Sequence, residues 1–456
     1  MHIHDEQTIV AQCTPKGSGA LALIRISGAT TIACVERLSK LASGKRFSEL
    51  PSHTIHYGWV IDQEKNHLDQ VLFLLMKAPA TFTGQDSIEI TCHNNQLLVE
   101  KIINEAIACG ARPAQEGEFT RRAYLNKKID LTQAEAIDDL IHAPSYEALK
   151  KSLAQLEGSL SHQIIAIEEK LLQAIAWCEA NFEFLDEERD FSPLIKDRLS
   201  TLIHTITTLQ QAFDLQKQIR NGVRIALIGS VNAGKSSLFN ALVQQKRAIV
   251  SAYAGTTRDT IETSVYHNGV AWNFIDTAGL RETDNVIEQE GITRSYAEAQ
   301  QADIVLFVYD GSQILSDQEQ ACYAQLQKLY AHKALTVITK ADLTQTAANT
   351  VPQDALHVST LTHMGISVLE QAIKTNVDQL LATHQSPFLL NKRHYQLLSA
   401  LKERIEKIIP MLETSVQYEL VSYHLKDALE RMSELTGKSI SEAALDKIFR
   451  EFCVGK

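Results

Sequence analysis

Hydrophobic positions change their rhythm three times along the chain. Up to about residue 118 they come in short runs, "TIVAQCT", "ALALIRIS", "TIHYGWVI", "VLFLLM" and "SIEITC", divided by turn residues. Brief β-branched and apolar runs of this kind predict strands. Between them "TTIACVERLSKLA" and "QLLVEKIINEAIACG" have helical spacing, and the second stops at Gly110. From about residue 120 the steps lengthen. Leu149, Leu153, Leu156, Leu160, Ile164, Ile167, Leu171 and Ile175 recur at threes and fours, one face of a single long helix. After the acidic "LDEERD", "LIKDRLSTLIHTITTLQQAF" predicts a second.

At Gly222 the pattern turns again. "VRIALIG", "VAWNFIDTAG", "ADIVLFVYDG", "ALTVITKAD" and "ALHVS" alternate with helical segments. Continuous apolar strands separated by helices predict a parallel sheet covered on both faces. Past "THQSPF" the chain reads as helix to its end. There Ser439 and Glu442 have capping-box spacing, predicting a helix that runs to about Phe452 with Leu445, Ile448, Phe449 and Phe452 on its apolar face. The fold class expected is multidomain α/β and α. A β-rich domain spans 1–119, a helical domain is split between 120–221 and 382–456, and an α/β domain, 222–381, is inserted between the two helical parts.

Composition adjusts this picture only slightly. With 456 residues, several domains are expected rather than one core. A net charge of −11 disfavours a broad basic face for nucleic acid, though not a local patch or a basic partner. Seven cysteines, with no CxxC pair, fit a reducing cytoplasm better than a disulfide framework or a zinc site. The start "MHIHDEQTIVAQ" lacks a signal-peptide pattern, and apolar runs such as "IVLFV" are too short to span a bilayer.

The chemistry concentrates after Gly222. "GSVNAGKSS" follows the run "VRIALI" and opens the helical "SLFNALV", the strand–loop–helix context that a phosphate-binding P-loop requires. Backbone N–H groups of Asn232, Ala233 and Gly234, with Lys235, Ser236 and Ser237, would wrap the phosphates. Lys235 would reach the outer ones and Ser236 would ligate Mg²⁺. "TKAD" (Thr339, Lys340, Ala341, Asp342) selects guanine, because the Asp342 carboxylate accepts from donors that adenine lacks. Thr339, where Asn is usual, is expected to weaken one contact at the base, and Ser359 and Thr360 of "HVST" sit at the guanine carbonyl. "DTAG" (Asp276, Thr277, Ala278, Gly279) would hold Mg²⁺ through water and sense the γ-phosphate, and Thr257 of "AGTTRD" is the switch ligand to Mg²⁺. Four motifs in this order predict a Ras-like GTPase domain. Leu280 stands where a water-orienting Gln is common, so something else must hold the water; Glu282, Asp284, Glu288 or Glu290 could do so after a loop rearrangement, the alternative for each being a solvated surface charge. Without an evident arginine finger, a monovalent cation near Asn232 could supply the positive charge.

An inserted GTPase behind a β-rich domain resembles the MnmE (TrmE) family of tRNA-modification GTPases. The stretches that carry this likeness are "TIVAQCTPKGSGALALIRISG", "FTGQDSIEI", "EGEFTRRAYLNKKIDLTQAEAIDDLI", "AGTTRD" and the terminal "FCVGK". The resemblance implies that a homodimer works with the flavoprotein MnmG, as a heterotetramer, on carbon 5 of the wobble uridine of certain tRNAs. The added group is aminomethyl or carboxymethylaminomethyl. Its carbon comes from a tetrahydrofolate derivative, 5,10-methylene- or 5-formyl-tetrahydrofolate, bound by the N-terminal domain. It further implies folate contacts at Arg25, Glu89, Lys128 and Lys456, and K⁺ ligands at Asn232, Ser251, Tyr253 and Thr256. The switch run Ser251, Ala252, Tyr253, Ala254, Gly255, Thr256 and Thr257 would join the GTP site, Mg²⁺ would sit on Ser236 and Thr257, and Glu288 would position water. Cys453 reads either as a small buried hydrophobe or as a thiol near the one-carbon unit. Gln85, Val231, Thr339 and Val454 depart from the family pattern, and none is expected to touch a mapped folate or metal ligand. The alternative is a regulatory or ribosome-assembly GTPase with no modification chemistry, which would need no folate pocket.

Overall fold

The structure, a computed structural model, describes residues 7–17, 19–183, 190–230, 232–244, 263–267, 269–275, 297–313, 317–343, 354–381, 386–413, 416–452 and 454–455. These form two compact units. One comprises residues up to Ile141, Leu153–Ile206 and Lys392 onward. The other comprises His142–Ser152 and Thr207–Asn391. The second therefore interrupts the first in chain order.

The first unit opens with a seven-stranded sheet. Its strands are β1 (Ile9–Gln12), β2 (Leu21–Ser27), β3 (Ser39–Leu41), β4 (Thr54–Ile61), β5 (His67–Met76), β6 (Ser87–His93) and β7 (Arg112–Pro113), in the order β3-β4-β5-β6-β2-β1-β7. Every neighbouring pair is antiparallel except β1 with β7. Alternation along the strands sends Ile24, Ile26, Phe73, Leu75, Ile88 and Ile90 to one face, where they bury against helices α1 (Thr31–Arg37) and α2 (Gln96–Ala108). Leu21, Ile55, Tyr57 and Leu72 emerge elsewhere on the same strands and stay exposed.

The helix expected through "TTIACVERLSKLA" is cut short. It ends at Arg37, and Ser39–Leu41 pairs with Val60, Trp59 and Gly58 of β4. Sheet pairing there outweighs helical spacing. Helix α3 (Glu118–Leu125) and α4 (Leu131–Ile141) follow. The single long helix expected through Leu149–Ile175 is two, α5 (Tyr146–Leu156) and α6 (Ser159–Glu183). Gly158 between them has φ +100°, which breaks the helical path although the apolar face continues. Helix α7 (Ser192–Leu215) is the second long helix the sequence predicts.

After α8 (Lys217–Asn221) comes the second sheet. It has strands β8 (Val223–Gly229), β9 (Thr263–His267), β10 (Val270–Phe274), β11 (Ile304–Asp310), β12 (Ala334–Thr339) and β13 (Leu356–His357), ordered β13-β12-β11-β8-β10-β9. All neighbours are parallel except β9 with β10. Strand β11 is buried at every position, as a central strand covered on two faces must be. One face packs on α9 (Lys235–Gln244) and α11 (Ile366–Leu381), and the other on α10 (Asp317–Tyr330). Within this unit the segment before α5 is strapped to the β9–β10 hairpin. Tyr146 N donates to Gly269 O and Ala271 N to Pro144 O, both at 2.7 Å.

Helices α12 (Lys392–Ile408), α13 (Tyr418–Thr436) and α14 (Glu442–Phe449) return the chain to the first unit. There Arg393 and His394 converge on the buried Glu135 carboxylate, with bonds of 2.7 Å. The last helix starts two residues later than its sequence suggests. Ser441, not Ser439, accepts from Ala444 N, while Ser439 Oγ donates to Glu430 O. It also ends at Phe449 rather than about Phe452.

Candidate functional site

Two clusters of chemistry-bearing residues stand in separate units. The first lies at the carboxyl ends of the parallel strands. Strand β8 runs into a loop in which Asn232 (φ +60°) and Gly234 (φ +85°) take left-handed conformations, and α9 begins at Lys235. A side chain at Gly229 would strike the Val308 carbonyl. The Lys235 ammonium folds back on its own loop, donating to the Gly229 and Ser230 carbonyls at 2.8 Å each. Burial holds it below the usual lysine range, partly offset by Glu298. A desolvated ammonium held, among the described residues, by carbonyls at a helix N-terminus is well suited to a phosphate group.

The base-reading loop is joined to this cradle. Thr339 is buried, and its hydroxyl lies 2.6 Å from Ala233 O and 3.0 Å from Tyr309 O. It therefore ties this loop to the loop that opens α9. Lys340 pairs with Asp310 at 2.6 Å. Burial alone would raise the Asp310 carboxyl, but Lys340 and Ser312 together hold it below the usual range. Ala341 N donates to Val358 O at 3.1 Å, so "TKAD" and the loop bearing Ser359 and Thr360 lie side by side. Ser251–Thr257, Asp276–Gly279 and Glu288 lie outside the described residues.

The second cluster belongs to the first unit. Register places Arg25 of β2 directly opposite Glu89 of β6, and Arg25 Nε and Nη2 both reach Glu89 Oε1 at 2.8 Å. The Arg25 guanidinium lies 5.7 Å from the Phe82 ring centre and 5.4 Å from that of Phe119. Lys128, exposed, donates to Pro79 O at 2.9 Å. Phe82 and Phe119 fall in stretches that carry the family likeness, but their meeting with Arg25, 57 and 94 positions away along the chain, is not readable from sequence.

A buried network supports this cluster. Glu118 receives Arg112 and Arg122, and Arg122 also donates to Gln85 Oε1 at 2.9 Å. Gln85 is thus a partner of a fully buried arginine. For Glu118 burial pushes the carboxyl up, but the two guanidinium groups and the Gln115 N–H hold it below the usual range.

The tail is docked in the same unit. Leu445, Phe449 and Phe452 bury against Leu131 and Ala134. Val454 pairs with Glu116 in an antiparallel bridge, and the Cys13 thiol donates to Gly455 O at 3.2 Å. Gly455 (φ +95°) lies so close to β1 that a Cβ would meet Gln12 O at 2.7 Å. Its neighbours Cys453 and Lys456 lie outside the described residues. Phe119, three positions after Glu116, links this docking point to Arg25.

Known proteins resemble this chain in sequence. The family model described as the GTP-binding protein TrmE N-terminus matches residues 8–128, and the MnmE helical domain model matches residues 131–453. The tRNA modification GTPase MnmE of Lachnoclostridium phytofermentans is 35% identical, covering 98% of this chain and 99% of its own. That of Geobacillus kaustophilus is 36% identical with the same coverage. The solved G domain of the T. maritima FeoB iron transporter aligns with 34% of this chain and 98% of its own, at 25% identity and a TM-score of 0.25. With family models over both its N-terminal and later parts and relatives matching end to end, the chain belongs to the MnmE family of tRNA modification GTPases.

Proposed function

We propose that this GTPase works with the flavoprotein MnmG to install an aminomethyl or carboxymethylaminomethyl group at carbon 5 of the wobble uridine. The one-carbon unit comes from a tetrahydrofolate derivative held by the first unit. The observation that carries this reading is the Arg25–Glu89 pair beside two phenyl rings, with the tail docked on the neighbouring strand β1. A pterin offers donors to the Glu89 carboxylate and acceptors to Arg25 beside it, and a glutamate tail offers carboxylates to a cation such as Lys128. Lys456 would add a second cation. Cys453 would supply a thiol near the one-carbon unit. A GTPase without modification chemistry has no use for such a site.

In the second unit, Lys235 and the loop from Asn232 to Ser237 hold the GTP phosphates, and Ser236 with Thr257 holds Mg²⁺. Asp342 reads guanine, Glu288 positions water, and K⁺ bound by Asn232, Ser251, Tyr253 and Thr256 supplies positive charge at the bridging oxygen. For the domains we keep the sequence division, 1–119, 120–221, 222–381 and 382–456, as a finer reading than the two compact units, whose bounds fall at Ile141, Ile206 and Asn391. Two copies pair through the first sheet, whose exposed Leu21, Ile55, Tyr57 and Leu72 favour burial. The protein works in the cytoplasm, where its tRNA substrate is found. Among the described residues no helix is long and apolar enough to cross a membrane.

Nucleoside mass analysis of tRNA from cells lacking the protein tests the reading. Loss of the modified wobble uridines is expected, and their persistence would overturn it. GTP turnover is expected to be faster in K⁺ than in Na⁺, and equal rates would remove the cation from the mechanism.

A further inference from the structure

We propose that Phe82 is the aromatic wall of the pocket around Arg25 and Glu89, stacking on a flat ring of the bound folate. The proposal rests on the folate reading of that pocket. Phe82 is 40% exposed. Single exposed apolar residues are ordinary on protein surfaces, but this one sits on a loop that is fixed in place. Lys128 Nζ donates to Pro79 O at 2.9 Å, Asn126 Nδ2 to Thr83 O at 2.7 Å, and Arg122 Nη1 to Gln85 Oε1 at 2.9 Å. Within the loop Thr81 Oγ1 donates to Gln85 O at 2.7 Å and Ala78 N to Asp86 Oδ1 at 2.8 Å. So many polar contacts preorganise one conformation, and that conformation exposes a phenyl ring.

The ring also has the right neighbours. Its centre is 5.7 Å from the Arg25 guanidinium, which meets the fully buried Phe119 as well. Lys128 is anchored three positions before Phe82, at Pro79. A reduced folate has a pterin, an aminobenzoyl ring and a carboxylate-bearing tail. Glu89 suits the pterin's donors, Arg25 beside it suits the pterin's acceptors, and Lys128 suits the carboxylates. The flat apolar part still needs a surface, and Phe82 lies over Arg25 on the loop that Lys128 anchors. Stacking of aromatic rings contributes enough to change affinity about tenfold.

Calorimetry of the full-length protein with 5-formyltetrahydrofolate provides the test. Phe82→Ala is expected to bind about tenfold more weakly. Phe82→Leu, which keeps bulk without a π face, stays weak, and Phe82→Trp regains wild-type affinity with its indole fluorescence quenched by the ligand. Thermal midpoints within about 2 °C of wild type establish that the variants fold. Wild-type affinity in Phe82→Ala or Phe82→Leu overturns the stacking role even while Arg25→Ala abolishes binding. A wild-type protein that binds no folate removes the folate reading itself, and the proposal with it.

Discussion

Glu118→Gln removes one charge and almost no volume, yet it should be among the costliest changes in the first unit. Five donors converge on this carboxylate. Oε1 takes Arg112 Nη2 at 2.6 Å, Arg122 Nη2 at 2.8 Å and Arg122 Nε at 3.3 Å. Oε2 takes Arg112 Nη1 at 2.8 Å and Gln115 N at 2.9 Å. The side chains of Glu118 and Arg122 are 5% and 1% exposed, whereas that of Arg112 is 26% exposed. Breaking a buried ion pair from one side costs about 3–5 kcal/mol, and the partial exposure of Arg112 argues for the lower end, about 3 kcal/mol. Hydrogen exchange of the β2 and β6 amides under increasing urea reads this locally, without treating a two-unit protein as a single transition. The loop around Gln85 should exchange faster as well, since Arg122 fixes it. The sign in acid follows from the lowered carboxyl of Glu118. Its stabilisation is complete above the ordinary carboxylate range and is lost as pH falls through the folded value. The wild type should therefore lose more stability in acid than the variant does. A cost under about 1 kcal/mol, typical of a surface pair, or identical acid slopes, would refute the reasoning.

Other perturbations reach other parts of the molecule. Thr339→Val deletes the hydroxyl that bonds Ala233 O and should weaken GTP about fivefold in equilibrium binding, the value of one neutral hydrogen bond. Unchanged affinity would mean the tie is dispensable. Gly455→Ala forces a side chain into left-handed backbone against Gln12, a strain of about 1–2 kcal/mol. It should slow tRNA modification in a reconstituted assay while GTP hydrolysis persists, and parallel loss of both would contradict a local effect. Glu135→Gln strips the buried partner of Arg393 and His394 and should destabilise the first unit by about 3–5 kcal/mol in the same exchange experiment.

Legibility in the sequence followed the range of the forces involved. The phosphate loop was readable because its parts lie within nine residues and its neighbours are a strand and a helix. Strands β2 and β6 were readable from their own residues. Ser39–Leu41 was not, since β4 claims it from across the sheet. Gly158 broke a helix whose apolar stripe runs straight through it, because periodicity records burial and not backbone angles. Ser439 and Ser441 are both plausible caps, and a bond to Glu430 O takes Ser439 out of the competition. Arg25 and Glu89 were found through likeness to a family, whereas the contacts of Phe82 with Arg25 and of Gln85 with Arg122 became visible only when distant segments were brought together.

The docked tail also sets an order of events during synthesis. Cys13 and Gly455 are 442 positions apart, which at about 5–20 residues per second separates their emergence by roughly 20–90 s. Through that interval the first sheet has its strands and its charged pair but not its last wall. The parallel-sheet unit, encoded in between, has time to fold on its own contacts. GTP binding should consequently be acquired by a nascent chain before its tail docks beside β1.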